Sequence, residues 1–418
     1  MIAVNNRKTQ VLVLGGGPAG ATAATLCAQA GLKTTLVERE RGPRFHIGES
    51  LMPDTYHTLR RLGVVDRMKG SRHTPKFSVQ FVTDTGKESQ PFYFFENNPH
   101  ECSQTWQVVR SEFDAMLVEN AASQGVTVLE GHIARDVHMD GGRATGACLH
   151  PKDGEAFDMA ADVVIDATGQ TALIANKLGL KKPDPLLRKS SIWTYYEGAA
   201  REPGRLDEGA TLVLATQGKK GWFWYIPLKD NIVSVGVVSG LDDLFPPGGS
   251  RDIAAIYQEQ LERCPAAKKR VMPGKQVGPH FTTKDFSYRC DQVAGNGWVL
   301  VGDAFGFLDP IYSSGVFLAL KSGEMAADAV IKGFSRGDLS ANSLGTWGPE
   351  YLKGMDRMKR LVYAFYEGFN FGAFIRKHPE MKRHLIDLLI GDLFKDSVDE
   401  IVAPLDAMRA EMASMAAV

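Results

Sequence analysis

The sequence predicts an α/β fold: a doubly wound βαβ layer, an inserted antiparallel β-sheet domain and a C-terminal helical region. Three observations carry this prediction. A strand, a glycine-rich turn, a helix and a second strand succeed one another over residues 10–38. Short β-rich segments separated by turns fill 190–240. From about 316 the apolar spacing is helical to the end. The 418 residues are too many for one ordinary core and suffice for about two or three packed subdomains.

Taken in order, Gln10–Leu14 is a buried strand, Ala19–Ala30 a helix with a small apolar face, and Lys33–Val37 a second strand ending at Glu38. Gly42-Pro43 breaks the pattern. Residues 77–95 read as a hairpin turned at Asp84-Thr85-Gly86. A helix over Arg110–Gln124 leads to a strand over Val126–Leu129, then a hairpin over 133–149 turning near Asp140-Gly141-Gly142. Asp162–Asp166 is a buried strand ending in Ala167-Thr168-Gly169. Ser191–Glu197, Thr211–Ala215, Gly221–Pro227 and Ile232–Val238 form the antiparallel sheet, and Pro246-Pro247-Gly248-Gly249 is its clearest breaker. The parallel layer resumes at Trp298–Val301. The expected division is 1–75, 100–185 and 276–335 for the doubly wound domain, 76–99 and 186–275 for the sheet domain, and 336–418 for the helical region.

Composition narrows the function classes. Hydrophobic residues at 44% and charged residues at 23% are the balance of a soluble globular protein. A net charge of -1 gives no reason to expect nucleic acid as a partner. Cys27, Cys102, Cys148, Cys264 and Cys290 contain no CxxC pair, which argues against a metal knuckle, an iron–sulfur cluster and a disulfide framework. The polar start MIAVNNRKTQ does not read as a signal peptide, and no apolar run reaches the ~20 residues of a membrane span. A cytoplasmic setting is expected.

Gly15-Gly16-Gly17-Pro18-Ala19-Gly20 fits GxGxxG on Gly15, Gly17 and Gly20, between a strand and a helix. Gly15 permits the tight turn, Gly17 lets a pyrophosphate approach the backbone, and Gly20 lets the helix pack on the strand. Pro18-Ala19 opens the helix whose free N–H groups and dipole favour phosphate. The alternative is a glycine-rich turn with no ligand. Against it, the second strand ends at Glu38, about where an acid should bind ribose hydroxyls. Glu38 favours an unphosphorylated ribose, hence FAD or NAD over NADP, and the neighbouring Arg39 keeps the phosphorylated form in play.

The strand Trp298–Val301 runs into Gly302-Asp303-Ala304. Here the chain resembles the FAD monooxygenase-like flavoproteins, which implies FAD, held at Gly302 and Asp303 along its ribityl chain and at Arg110 of Arg110-Ser111-Glu112-Phe113-Asp114. Read alone, Asp303 is equally a helix N-cap. Within that class three features resemble the flavin-dependent halogenases. Trp222-Phe223-Trp224-Tyr225-Ile226-Pro227 fits WxWxIP. Asp309-Pro310-Ile311-Tyr312-Ser313-Ser314-Gly315-Val316 resembles the loop where those enzymes hold halide beside the flavin. Pro75-Lys76-Phe77 resembles the segment supplying their essential lysine. Phe45-His46-Ile47-Gly48-Glu49-Ser50-Leu51-Met52-Pro53 looks like the family's segment after the second strand, and the likeness extends through Leu388-Leu389-Ile390-Gly391-Asp392. It implies further cofactor contacts at Ser50 and Pro310. The closest likeness is to halogenases of phenolic or pyrrolic substrates, often presented on a carrier protein. Where tryptophan-type enzymes carry a Glu near the halide loop, this chain has Tyr312-Ser313. Lys69 and Lys87 compete with Lys76, but neither precedes a strand in the same way.

The resemblance implies a halogenation in which reduced FAD and oxygen oxidise chloride or bromide bound by the backbone N–H groups of Ser314 and Gly315. Backbone amides at a turn suit an anion. Hypohalous acid then reaches Lys76, which presents electrophilic halogen to an electron-rich ring, while Trp222 and Trp224 wall off the flavin. Each residue has a plainer alternative: tryptophans as packing, Ser313-Ser314-Gly315 as an N-cap turn, Lys76 as a surface lysine. No DGxxSxxR-like run follows Gly169, so direct nicotinamide handling is not indicated, and the resemblance implies a separate flavin reductase. An FAD monooxygenase, an ene-type reductase or a non-halogenating FAD-binding protein are the competing functions on this scaffold.

The aromatic run 361–375 wraps more than one helix face and is expected to pack over the substrate chamber. Lys353, Arg357 and Arg360 fall on one helix face, as a solvated stripe or a dock for an acidic carrier protein.

Overall fold

A computed structural model describes residues 7–284 and 286–416. Its first layer is a sheet in the order Ala294–Gly295, Trp298–Leu300, Phe157–Asp166, Arg7–Leu14, Thr34–Glu38, Thr127–Glu130. From Trp298–Leu300 onward every neighbouring pair is parallel. Parallel strands need crossovers and are covered on both faces, which is why Val11–Leu14 and Val163–Ile165 are continuous apolar runs at 0% exposure. The hairpin His132–Asp140 and Arg143–Pro151 flanks this layer and pairs with Phe157–Ala160. That pairing extends the strand expected at 162–166 back to Phe157. Leu14, Glu38, Asp166 and Leu300 all end at one edge of the sheet, where open α/β layers bind ligands.

The second layer runs in the order Lys275–Lys284, Lys189–Glu197, Ile232–Gly240, Gly221–Pro227, Thr211–Ala215, Ser78–Val82, Phe92–Tyr93. It is antiparallel except where Thr211–Leu214 pairs in parallel with Val79–Val82. That long-range pairing attaches the early hairpin to the late sheet and is invisible to local pattern. Alternate side chains of Gly221–Pro227 face opposite ways. Phe223 and Tyr225 pack under the helices Ile253–Glu262 and Pro265–Val271, while Trp222, Trp224 and Ile226 face the first layer. Both faces are therefore covered, so this strand too is apolar throughout.

The helix Ser314–Arg336 packs on the first layer, and Gly348–Tyr366 follows it. Val362, Tyr363, Phe365 and Tyr366 join the cluster containing Trp222 and Trp224, whereas Phe369 and Phe374 enter the first core. The basic stripe is solvated only in part: Lys353 is exposed and Arg360 half-buried, but Arg357 is buried, and all are paired. The chain folds back after residue 395 and supplies carboxylates to it. Arg357, 3% exposed, pairs with Asp399 at 2.7 Å and donates to the Leu393 carbonyl at 2.6 Å. Lys353 pairs with Asp396 and Asp399, and Arg360 with Asp406.

All the cysteines are free thiols, and only Cys148 is not buried. Burial pushes Cys27 up to about 12, and Cys102 and Cys290 to about 11. No helix among the described residues is long and apolar enough to cross a membrane.

Candidate active site

The glycine turn is shaped by close packing. Gly15 has φ +110°, and a Cβ there would lie 2.2 Å from the Ala167 carbonyl oxygen. A Cβ at Gly20 would lie 1.9 Å from the Gly15 carbonyl oxygen, so only glycine lets the helix Pro18–Gln29 sit this low on the strand. Gly17 is extended at the N-cap without a side-chain cap, which leaves the helix N–H groups facing outward. Glu38 is 7% exposed, and its carboxylate accepts from Gly16 N at 2.8 Å and Glu40 N at 3.0 Å. The acid thus braces the turn.

A cleft of about 1840 Å³, open mouth included, follows this edge into the space between the two layers. Gly15, Gly17, Ala19, Glu38, Arg39, Ser50, Arg110, Gly302, Asp303, Pro310, Gly315, Trp222 and Trp224 all line it. Gly20 lies beneath the turn rather than in the cleft. Arg110 is held in a bidentate pair with Asp114 at 2.9 Å to each oxygen. Arg44 reaches both Glu38, at 3.4 Å, and Asp114, at 3.5 Å. Burial pushes the Asp303 carboxyl up to about 6, with Arg110 and Lys181 opposing. Its lining brings together the N-terminus of the helix Pro18–Gln29, the acid Glu38 and a mostly apolar wall. This donor set fits FAD.

The halide-loop residues sit at the start of the helix Ser314–Arg336. Ser313 is left-handed at φ 57°, which turns the chain sharply into the helix. Asp309 Oδ1 accepts from Ile311 N at 2.9 Å, and Ser313 N donates to the Pro310 carbonyl at 3.0 Å, so the turn is braced from within. Ser314 does not line the cleft. It borders a small cavity of about 210 Å³ with Gly302, Asp303, Phe307 and Tyr351, and Gly315 borders both spaces. Unpaired N–H groups at a helix start beside such a cavity suit a small anion.

Lys76 is 4% exposed, so the surface alternative falls. It belongs to the short strand Thr74–Lys76, which pairs with Thr105–Gln107. Its Nζ donates to Ser50 Oγ at 2.9 Å and to the Leu51 carbonyl at 3.0 Å, and burial pushes its ammonium down to about 7. No carboxylate pairs with it among the described residues. Lys76 does not itself line the cleft; it stands one hydroxyl behind it. Ser50 Oγ lies 2.9 Å from Thr211 Oγ1, which accepts from Gln107 Nε2 at 2.8 Å, and both residues line the cleft. Lys69 pairs with Glu101 at the surface, and Lys87 is exposed.

Sequence reasoning missed Arg44, Asp114, Thr211 and the role of Glu49. Glu49 is 4% exposed, lines the cleft, accepts from Tyr195 Oη at 2.8 Å, and is pushed up to about 7 by burial. It stands inside the segment 45–53, but nothing local distinguishes it from a surface acid.

Comparisons with known proteins agree with this geometry. The "Tryptophan halogenase" family model matches residues 95–370, and the "FAD dependent oxidoreductase" model matches 10–177. A 1H-pyrrole-2-carbonyl-[peptidyl-carrier protein] chlorinase of Pseudomonas fluorescens is 29% identical over 97% of this chain and 93% of its own. The corresponding brominase of Pseudoalteromonas luteoviolacea is 30% identical, over 92% of each. The solved structure of the flavin-dependent brominase Bmp2 superposes with TM-score 0.86 at 27% identity, covering 97% of this chain and 100% of that one. The myxobacterial chondrochloren halogenase gives TM-score 0.79 at 32% identity, covering 87% and 84%. The parallel layer, the glycine turn and the matching family models define an FAD-dependent oxidoreductase. Within that class the chain belongs to the tryptophan halogenase family, the flavin-dependent halogenases.

Proposed function

We propose that this halogenase acts on an electron-rich ring, pyrrole-like or phenolic, presented on a carrier protein, with Lys76 as the residue that delivers the halogen. The single observation that carries the residue assignment is the buried, carboxylate-free ammonium of Lys76, hydrogen-bonded to a serine on the cleft wall. Two relatives spanning nearly the whole chain, each a pyrrole-2-carbonyl carrier-protein halogenase, support the substrate class and the carrier.

Reduced FAD, with oxygen, supplies the oxidising equivalents that turn chloride or bromide into hypohalous acid. The backbone N–H groups of Ser314 and Gly315 hold the halide, and their neutrality lets the anion react rather than trapping it. Trp222 and Trp224 line the cleft and keep bulk water and substrate from the cofactor. Near neutral pH Lys76 exchanges between ammonium and amine. As an amine it takes the halogen; as an ammonium it hydrogen-bonds hypohalous acid and polarises it. The ring carbon gains a carbon–halogen bond and loses its proton, and hydroxide leaves as water. Reduced flavin comes from a separate reductase, a reading supported by the lack of a DGxxSxxR-like run after Gly169.

The test uses FAD, a flavin reductase, NADH, oxygen and bromide. Pyrrole-2-carbonyl loaded on a peptidyl carrier protein is compared with free phenols by mass spectrometry. Brominated product is expected on the carrier, falling about a hundredfold or more in Lys76→Ala. Hydroxylated product, or bromination that survives in the variant, overturns the assignment. In stopped-flow, NADH alone is expected to bleach bound flavin far more slowly than NADH with reductase. Equal rates would remove the separate reductase.

A further inference from the structure

The indole N–H groups of the two tryptophans that line the cleft are anchored differently. Trp224 Nε1 donates to Ser234 Oγ at 3.1 Å, on the neighbouring strand of its own sheet. Trp222 Nε1 leaves its sheet. It donates to Tyr366 Oη at 3.1 Å, on the C-terminal helix Gly348–Tyr366, and Tyr366 Oη donates to Asp309 Oδ2 at 2.9 Å. The other oxygen of Asp309 holds Ile311 N, inside the turn that carries Ser314 and Gly315. One carboxylate, 1% exposed, therefore fixes both the halide-loop turn and, through one phenol, the indole wall. The groups facing Asp309 among the described residues are Tyr366, Tyr312 and Lys189, whose Nζ lies 4.0 Å from the Tyr366 ring centroid.

We propose that Tyr366 is a positioning residue for halogenation: held by Asp309, its hydroxyl sets the plane of the Trp222 indole and couples it to the turn that binds halide. This rests on Ser314 and Gly315 being the halide site. Three segments distant in sequence contribute one atom chain, and burying a carboxylic acid has an energetic cost that packing alone does not require. A Phe at 366 would fill the same space yet leave the Trp222 N–H and one Asp309 oxygen without partners. Burial also pushes Asp309 up to about 7, so the atom chain changes its proton content in the working range.

The first readout needs neither cofactor nor turnover. With ¹⁵N-indole-labelled protein, the Trp222 Nε1–H resonance is assigned by its loss in Trp222→Phe. It is expected to titrate near neutral pH in wild type, to stop titrating in Asp309→Asn, and to move and exchange about tenfold faster in Tyr366→Phe, the effect of one lost hydrogen bond. In the FAD-loaded enzyme, Tyr366→Phe is expected to raise the bromide KM about tenfold and to lower halogenated product per NADH consumed, with FAD affinity unchanged. An indole resonance that stays put in both variants overturns the proposal. So does a shifted resonance with unaltered bromide KM. Wild-type protein that makes no halogenated product at all fails the proposed function instead, and is told apart by that control.

Discussion

At the residue scale, Lys76 has the most to reveal through pH. Its ammonium is depressed in the fold to about 7 from an ordinary 10.5. Between those values the unfolded chain holds a proton that the fold has released, so this residue makes stability rise with pH across that window. Glu49 and Asp309, raised to about 7, act oppositely and make stability fall as pH climbs from their ordinary range towards neutrality. Wild type compared with Lys76→Met isolates the lysine. The variant is expected to melt higher at pH 7 and to lose the upward slope between pH 7 and 10, measured by thermal unfolding. A flat difference across that range would mean that Lys76 is charged in the fold. The sequence marked Lys76 only by its neighbours, Pro75 and a following strand. Its burial depends on Ser50 and Leu51, about 25 residues earlier, which no local pattern reveals.

At the element scale, the strand–turn–helix unit was legible because its constraints are local. Gly15 and Gly20, where an added Cβ would fall within 2.3 Å of a carbonyl oxygen, stand five residues apart in one short motif. Gly15→Ala is expected to abolish FAD retention while leaving secondary structure by circular dichroism near wild type; flavin absorbance of the purified protein is the measurement. A Cβ forced onto the Ala167 carbonyl must push apart the strands at the ligand edge. The antiparallel strands 191–240 were equally legible from their turns. The parallel pairing of Val79–Val82 with Thr211–Leu214 was not, because strand partners far apart leave no mark on local periodicity.

At the scale of the whole molecule, the helical tail closes on itself. The carboxylates of Asp396, Asp399 and Asp406 reach back to Lys353, Arg357 and Arg360. Read from sequence, the basic face lacked its partners because they lie about 40 residues later and the return of the chain is a tertiary event. Arg357→Glu is therefore expected to destabilise the protein by about 3 kcal/mol in urea unfolding, through a buried charge set against Asp399. A stable variant would show the pairing to be dispensable. The aromatic run at 361–375 is core packing, as expected, but it divides between two clusters: Val362, Tyr363, Phe365 and Tyr366 join Trp222 and Trp224, while Phe369 and Phe374 enter the first core.

The thiols carry a last consequence. Hypohalous acid attacks sulfur faster as thiolate than as thiol, and exposed thiols are the first casualties of such oxidants. Cys27, Cys102, Cys264 and Cys290 are buried and held protonated by raised pKa values. Burial thus shields four of the five thiols from such an oxidant, and the less buried Cys148, although its pKa is raised as well, is the thiol most open to it.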